Sequence, residues 1–217
     1  ATGDRWKTLP LLIVVKGTYG LEEIECSRQS PDCAAQRIRR QWLSEERDKW
    51  LRQADVGDRF WHVTREEVRH GKATIYAYLD DLAENLDRGK GLVLVGPRGT
   101  GKPAVLALIA SQAQSIGAPA QEVRLTTVTR LMVALCRSKG EAYFDGELLL
   151  LDEFGSAYES DFAFALLEDY LNWRYERRLT TCVAANMTKE ELAGNPAYSR
   201  IVDRWRETSR MVVMGSA

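Results

Sequence analysis

Gly91-Leu92-Val93-Leu94-Val95-Gly96-Pro97-Arg98-Gly99-Thr100-Gly101-Lys102-Pro103 decides the reading of this chain. Its apolar first half predicts a strand, and Ala104 to Ile116 predicts a helix. A glycine-rich turn between a strand and a helix N-terminus is the setting that cradles phosphate. Glycines let backbone N–H groups close around phosphate oxygens, and the helix dipole adds partial positive charge. Lys102 supplies a full one. The residues from Gly96 to Pro103 are therefore the candidate nucleotide-binding loop. One position departs from the pattern. Where a Ser or Thr hydroxyl normally holds Mg²⁺, this chain has Pro103, which has no hydroxyl and no N–H.

Downstream, Gly146-Glu147 leads into Leu148-Leu149-Leu150-Leu151-Asp152-Glu153-Phe154-Gly155. Four leucines between turn residues suit a strand buried on both faces. Two carboxylates at its end are costly unless they face a ligand or solvent. In an open α/β sheet the ligand lies at the carboxyl ends of the strands. Asp152 is thus the candidate metal ligand and Glu153 the group that polarises an attacking water. Asn186, at the end of a strand expected over 180–185, is a candidate for orienting water or sensing a terminal phosphate. Arg200 and Arg204 lie four apart on one expected helix face, which suits delivery of an arginine to a phosphate in a neighbouring subunit.

The strands expected are 91–95, 121–126, 147–152, 180–185 and 210–214. Helices are expected at 74–86, 102–116, 128–137, 161–178 and 198–207. Such alternation implies a parallel sheet with helices on both faces. Ahead of it, residues 1–59 read as an extension with a short strand-like run, a turn at Gly17-Thr18-Tyr19-Gly20, and a helix from Ala34 to Ala54. That helix carries Ile38, Trp42, Leu43, Trp50 and Leu51 on a rough stripe. Its charged face has two readings, a solvated face with intrahelical ion pairs or a docking surface for a protein or DNA.

Composition limits the function classes. The 217 residues are 45% hydrophobic and 28% charged, with net charge −1, as in a soluble globular protein without a global basic field. Nothing approaches the roughly 20 apolar residues of a membrane span, and Leu11 to Val15 is too short for a signal core, so a cytoplasmic chain is expected. The spacing of Cys26, Cys33, Cys136 and Cys182 does not make a four-ligand zinc site, although a remnant of a metal knuckle at Cys26 and Cys33 stays open. Cys136 and Cys182 are read as small core residues.

These motifs, in this order, resemble the AAA+ ATPases of the DnaC-type replicative helicase loader family and their IstB-like transposition relatives. The resemblance spans 60–217. It is carried by the glycine loop and by Leu150-Leu151-Asp152-Glu153-Phe154-Gly155. Leu171 to Arg178, Ala185-Asn186-Met187-Thr188 and Arg200-Ile201-Val202-Asp203-Arg204-Trp205 add to it. It implies a P-loop AAA+ three-layer sandwich with a five-stranded parallel sheet in the order 5-1-4-3-2. It also implies ATP/ADP and Mg²⁺ at subunit interfaces, an oligomer when ATP is bound, and Arg204 as the arginine finger with Arg200 supporting it. Partners implied are a replicative helicase and single-stranded DNA, with residues 1–59 as the partner-contacting part. Arg124, Arg130, Arg137 and Lys139 are candidate DNA contacts by position. Hydrolysis is expected to be slow because of Pro103. The alternatives are an IstB-type helper ATPase on duplex DNA and a non-hydrolysing scaffold. A small-molecule kinase fits less well, since tandem Asp152-Glu153 suits activating water and no lid is visible.

Overall fold

The computed structural model describes residues 11–17, 20–26, 34–137, 143–155 and 161–215. Cys33, Lys139 and the Thr18-Tyr19 turn lie outside the described residues. The chain divides into two compact units, 1–49 and 50–217.

In the first unit, β1 (Leu11–Gly17) and β2 (Gly20–Cys26) form an antiparallel hairpin in which Ile13 faces Ile24. The helix α1 (Ala34–Gln53) begins there and ends in the second unit. Trp42 and Leu43 are about half exposed, at 53% and 48%. They are not part of a buried stripe, whereas Leu51 in the last turn is fully buried. Leu51, Ala54 and Val56 belong to the second unit's core.

The second unit continues with α2 (Lys72–Asp80), α3 (Leu82–Asp87), β3 (Gly91–Val95), α4 (Lys102–Ser115) and β4 (Val123–Thr127). Next come α5 (Val128–Arg137), β5 (Leu148–Phe154), α6 (Asp161–Glu176) and β6 (Thr180–Ala185). It ends with α7 (Lys189–Gly194), α8 (Ser199–Thr208) and β7 (Ser209–Val213). The sheet order is β4-β5-β6-β3-β7, and every pair in it is parallel. Counted from β3 as the first strand this is the expected 5-1-4-3-2. The helix expected over 74–86 is two short helices that meet at Asp81. The helix α7 was not expected, although Thr188 and Glu191 form a capping box that marks its start.

Strand residues alternate between two cores. Leu92, Leu94, Leu148, Leu150, Cys182 and Ala184 pack with α2, α3 and α4. Val93, Val95, Leu149, Leu151, Val183 and Ala185 pack with α5, α6 and α8. The leucine run is thus buried on both faces, as a parallel strand between helical layers must be. Cys182 is buried beside the Tyr78 hydroxyl, and burial pushes its thiol pKa up to about 11. Cys136 is exposed, which corrects its assignment to the core: α5 buries Val128, Leu131, Met132 and Leu135, and position 136, in the last turn, falls at the rim of that face.

Among the described residues Arg174 is the largest fully buried side chain. Its guanidinium donates from Nε to Thr181 Oγ1 (3.0 Å). Its terminal nitrogens donate to the carbonyls of Phe144, Gly146, Glu147 and Thr180 (3.0, 3.1, 3.4 and 2.8 Å). Every donor of the planar fork is used, which ties the approach to β5 onto the start of β6. Burial lowers its pKa. No helix among the described residues is long and apolar enough to cross a membrane.

Candidate nucleotide-binding site

The glycine loop leaves the carboxyl end of β3 and enters α4. Gly96 is buried at φ 146°, and a Cβ there would lie 1.9 Å from the Met214 carbonyl oxygen. Only glycine allows that approach, which the Met214 N–H to Val95 carbonyl bond (2.7 Å) holds in place. Gly99 (φ 82°) and Gly101 (φ 89°) are also left-handed, and a Cβ on either would meet nothing within 4 Å. The outer loop therefore has open space beside its backbone. Gly215 closes the other side, near Thr100 and Pro97.

Lys102 is the first residue of α4 and is 3% exposed. Its ammonium donates to the carbonyls of Gly96 (2.9 Å) and Pro97 (2.8 Å) and to Thr100 Oγ1 (3.3 Å). Thr100 in turn donates to the Pro97 carbonyl (3.0 Å). Burial lowers the Lys102 pKa, and the Asp152 charge opposes that shift. Pro103 occupies the first turn of α4, where its missing N–H has no intrahelical acceptor to lose. The helix starts without strain, but the position offers no oxygen.

Asp152 and Glu153 lie just before the end of β5, in a register shift. Leu151 pairs with Val183 and Phe154 with Ala185, so two carboxylate residues stand opposite one residue of β6. That is a β-bulge, a device that re-aims side chains at the end of a sheet. Glu153 takes φ 60°, unusual for a residue with a Cβ, and its N–H donates to Asp152 Oδ1 (2.8 Å). Asp152 is half-buried and Glu153 exposed. Burial raises the Asp152 pKa. The Glu153 N–H opposes this, the Glu153 charge adds to it, and the Lys102 charge opposes it. Lys102 and Asp152 thus share one electrostatic neighbourhood.

Asn186 is exposed at the end of β6. Val95 pairs with Ala185, so Asn186 stands level with Gly96. The loop, Asp152, Glu153 and Asn186 therefore gather at the carboxyl ends of β3, β5 and β6. Arg200 and Arg204 face another region. They line a groove of about 1020 Å³ between α6 and α8 that reaches the amino ends of β3, β6 and β7. Arg200 pairs with Glu168 (3.5 Å), and the Arg204 guanidinium lies 4.5 Å from the centre of the Tyr175 ring. Of the candidate DNA contacts, Arg124 covers the Phe144 ring at 4.5 Å and pairs with Asp55 at 3.6 Å, while Arg130 and Arg137 are exposed on α5. Met214 and Gly215 were not foreseen beside the loop; their approach follows from the pairing of β3 with β7.

No protein-family model and no curated protein sequence matches the chain at a significant level. Solved structures do. The crystal structure of the DnaC helicase loader is similar with a TM-score of 0.59 and 20% identity, over 73% of this chain and 100% of that one. DnaI is similar with a TM-score of 0.56 and 20% identity, over 71% of this chain and 95% of that one. AMPPCP-bound DnaA from Aquifex aeolicus is similar with a TM-score of 0.54 and 19% identity, over 73% of this chain and 51% of that one. The sheet order, the loop position and these likenesses agree: the chain has the three-layer α/β fold of the DnaC and DnaI structures.

Proposed function

We propose that the chain binds ATP on the loop from Gly96 to Pro103 and uses it as a switch in replication, loading or remodelling a helicase on single-stranded DNA. One observation carries this reading: Lys102 is held inside a glycine loop whose outer backbone is open, at the same carboxyl end of the sheet as the half-buried Asp152. A fixed cation, open left-handed glycines and a half-buried carboxylate make a donor set that fits a nucleotide phosphate with its magnesium. Lys102 would exchange its loop carbonyls for phosphate oxygens. Asp152 would hold Mg²⁺ together with phosphate oxygens and water, since Mg²⁺ commonly takes only one or two carboxylates from a protein. The metal, when bound, would neutralise charge on the phosphates. Glu153 would position the water and Asn186 would sense the terminal phosphate. Arg204, with Arg200 beside it, would act on nucleotide held by a neighbouring copy. Partners would be a replicative helicase and single-stranded DNA, with 1–59 making the protein contact; likeness to a helicase loader and to a replication initiator bound to single-stranded DNA supports this.

Pro103 favours a second reading, a nucleotide-gated scaffold that binds ATP without turnover. Titrating ATP with Mg²⁺ and following phosphate release, with and without single-stranded DNA, separates the two. Binding with DNA-stimulated release supports the working ATPase. Binding without release supports the scaffold, and no binding defeats both.

A further inference from the structure

Phe154 follows the carboxylate pair directly and is fully buried. Its ring meets Tyr198 at 5.3 Å and Trp205 at 4.9 Å between centroids, the latter edge-on at 69°. Tyr198 closes the turn before α8, and Trp205 lies on the buried face of α8 with Ile201 and Val202. Arg200 and Arg204 are on the exposed face of the same helix. The turn on the carboxylate side is equally confined. Gly155 has φ 81°, and a Cβ there would lie 1.8 Å from Met187 Cε and 3.8 Å from the Tyr198 hydroxyl. Met187 is the residue after Asn186. A tight apolar plug therefore separates Glu153 and Asn186 from the arginine helix.

We propose that Phe154 and Trp205 are positioning residues that transmit the nucleotide state of this chain's own Lys102–Asp152 cleft to the setting of Arg204. The inference rests on the nucleotide reading above and adds the route by which one copy's site would control the group it presents to the next. The physical basis is close packing. Interlocked rings shift between discrete arrangements and do not deform smoothly. Glu153 sits at φ 60°, a backbone region that is unfavourable for a residue with a Cβ. A ligand that draws Glu153 toward the loop changes that backbone, and Phe154 is the next residue. Movement of its ring displaces Trp205, and α8 moves as a rigid unit. Arg204 also has a defined place to leave, the face of Tyr175, whose hydroxyl donates to Glu207. Two settings of Arg204 would then differ in their contacts, as a ligand-biased equilibrium requires.

Hydrogen–deuterium exchange of 199–208, read with and without AMPPCP and Mg²⁺, tests this on the full chain and on three variants. Affinity for AMPPCP is measured alongside. In the unaltered chain AMPPCP alters exchange across α8. In Phe154→Leu affinity stays within about threefold and the α8 response disappears, a loss of coupling without loss of binding. Trp205→Leu also loses the response, whereas Trp205→Phe, which keeps a ring, retains it. A merely structural role would change exchange with and without nucleotide alike. An intact response in Phe154→Leu overturns the route, as does an unaltered chain that binds AMPPCP with no change in α8. Should Phe154→Leu not fold, the two Trp205 variants decide. Absence of binding appears in the affinity measurement first; it defeats the nucleotide reading, and the coupling falls with it.

Discussion

Replacing Arg174 with methionine tests how far one buried side chain holds the carboxylate strand in place. Methionine keeps most of the volume and removes the fork. The Phe144 carbonyl keeps a partner, because the Tyr170 hydroxyl also donates to it (2.9 Å). Gly146, Glu147 and Thr180 lose the Arg174 donor to their carbonyls. Each buried acceptor left unsatisfied costs about 1–3 kcal/mol. Against this, the variant no longer buries a cation that donates to five neutral oxygens, and burial of an ion is itself costly. The balance is a loss of about 3 kcal/mol, which at about 2–4 °C per kcal/mol for a chain of this size lowers Tm by about 10 °C. Urea and thermal melts followed by circular dichroism give the value. Arg174→Lys should fall between the two, since three donors cannot serve five acceptors. An Arg174→Met protein within 1 kcal/mol of the unaltered chain would refute the argument, because it would mean that the carbonyls find other donors or water.

Three further outcomes follow from the loop and the carboxylates. Burial raises the Asp152 pKa above its ordinary 3.8, so its stability contribution is present below that value and lost as pH rises through the folded-state value. At neutral pH the charge is therefore a cost, and Asp152→Asn should leave Tm unchanged or raise it by a few degrees, about 2–4 °C per kcal/mol, while weakening Mg²⁺-dependent nucleotide binding; a clear fall in Tm would show that its attraction to the Lys102 charge outweighs its burial. Gly96→Ala should cost more than about 2 kcal/mol, because the obstacle is a backbone carbonyl, whereas Gly99→Ala meets open space and should cost about 1 kcal/mol from its φ alone; equal losses in a denaturant titration would contradict the close approach. Pro103→Thr should raise ATP turnover with little change in Tm, read by phosphate release; no change in rate or binding would remove Pro103 as the cause of slow hydrolysis.

What was legible in the sequence was what local rules determine. The strand–glycine–helix run and the leucine run ending in Asp152-Glu153 each carry their signal within a few residues, and the helix–strand alternation fixes a parallel sheet. The order of strands came from resemblance to AAA+ proteins, since short-range pattern does not say which strands are neighbours. Arg174 was invisible for a different reason. Most of its partners are main-chain carbonyls from two separate segments, and carbonyls have no sequence signature. The bulge at Asp152 and the approach of Met214 to Gly96 are register effects, settled only when strands pair. Cys136 was misplaced because it lies at the rim of a buried helix face, where apolar neighbours do not decide exposure. By contrast α7 carried a readable start signal in Thr188 and Glu191.

The alternation of the strands between two cores has a consequence for how this protein can change. Leu150 and Leu151 are neighbours in the chain but strangers in space: one packs on the side of α4, the other on the side of α6 and α8. A substitution at Leu150 should be compensated at Leu148 or across at Cys182, one at Leu151 at Leu149 or across at Val183, and almost never at the adjacent residue. Among natural variants, drift in the layer beneath the glycine loop and drift in the layer beneath the arginine helix should be statistically independent, with Phe154 among the exceptions.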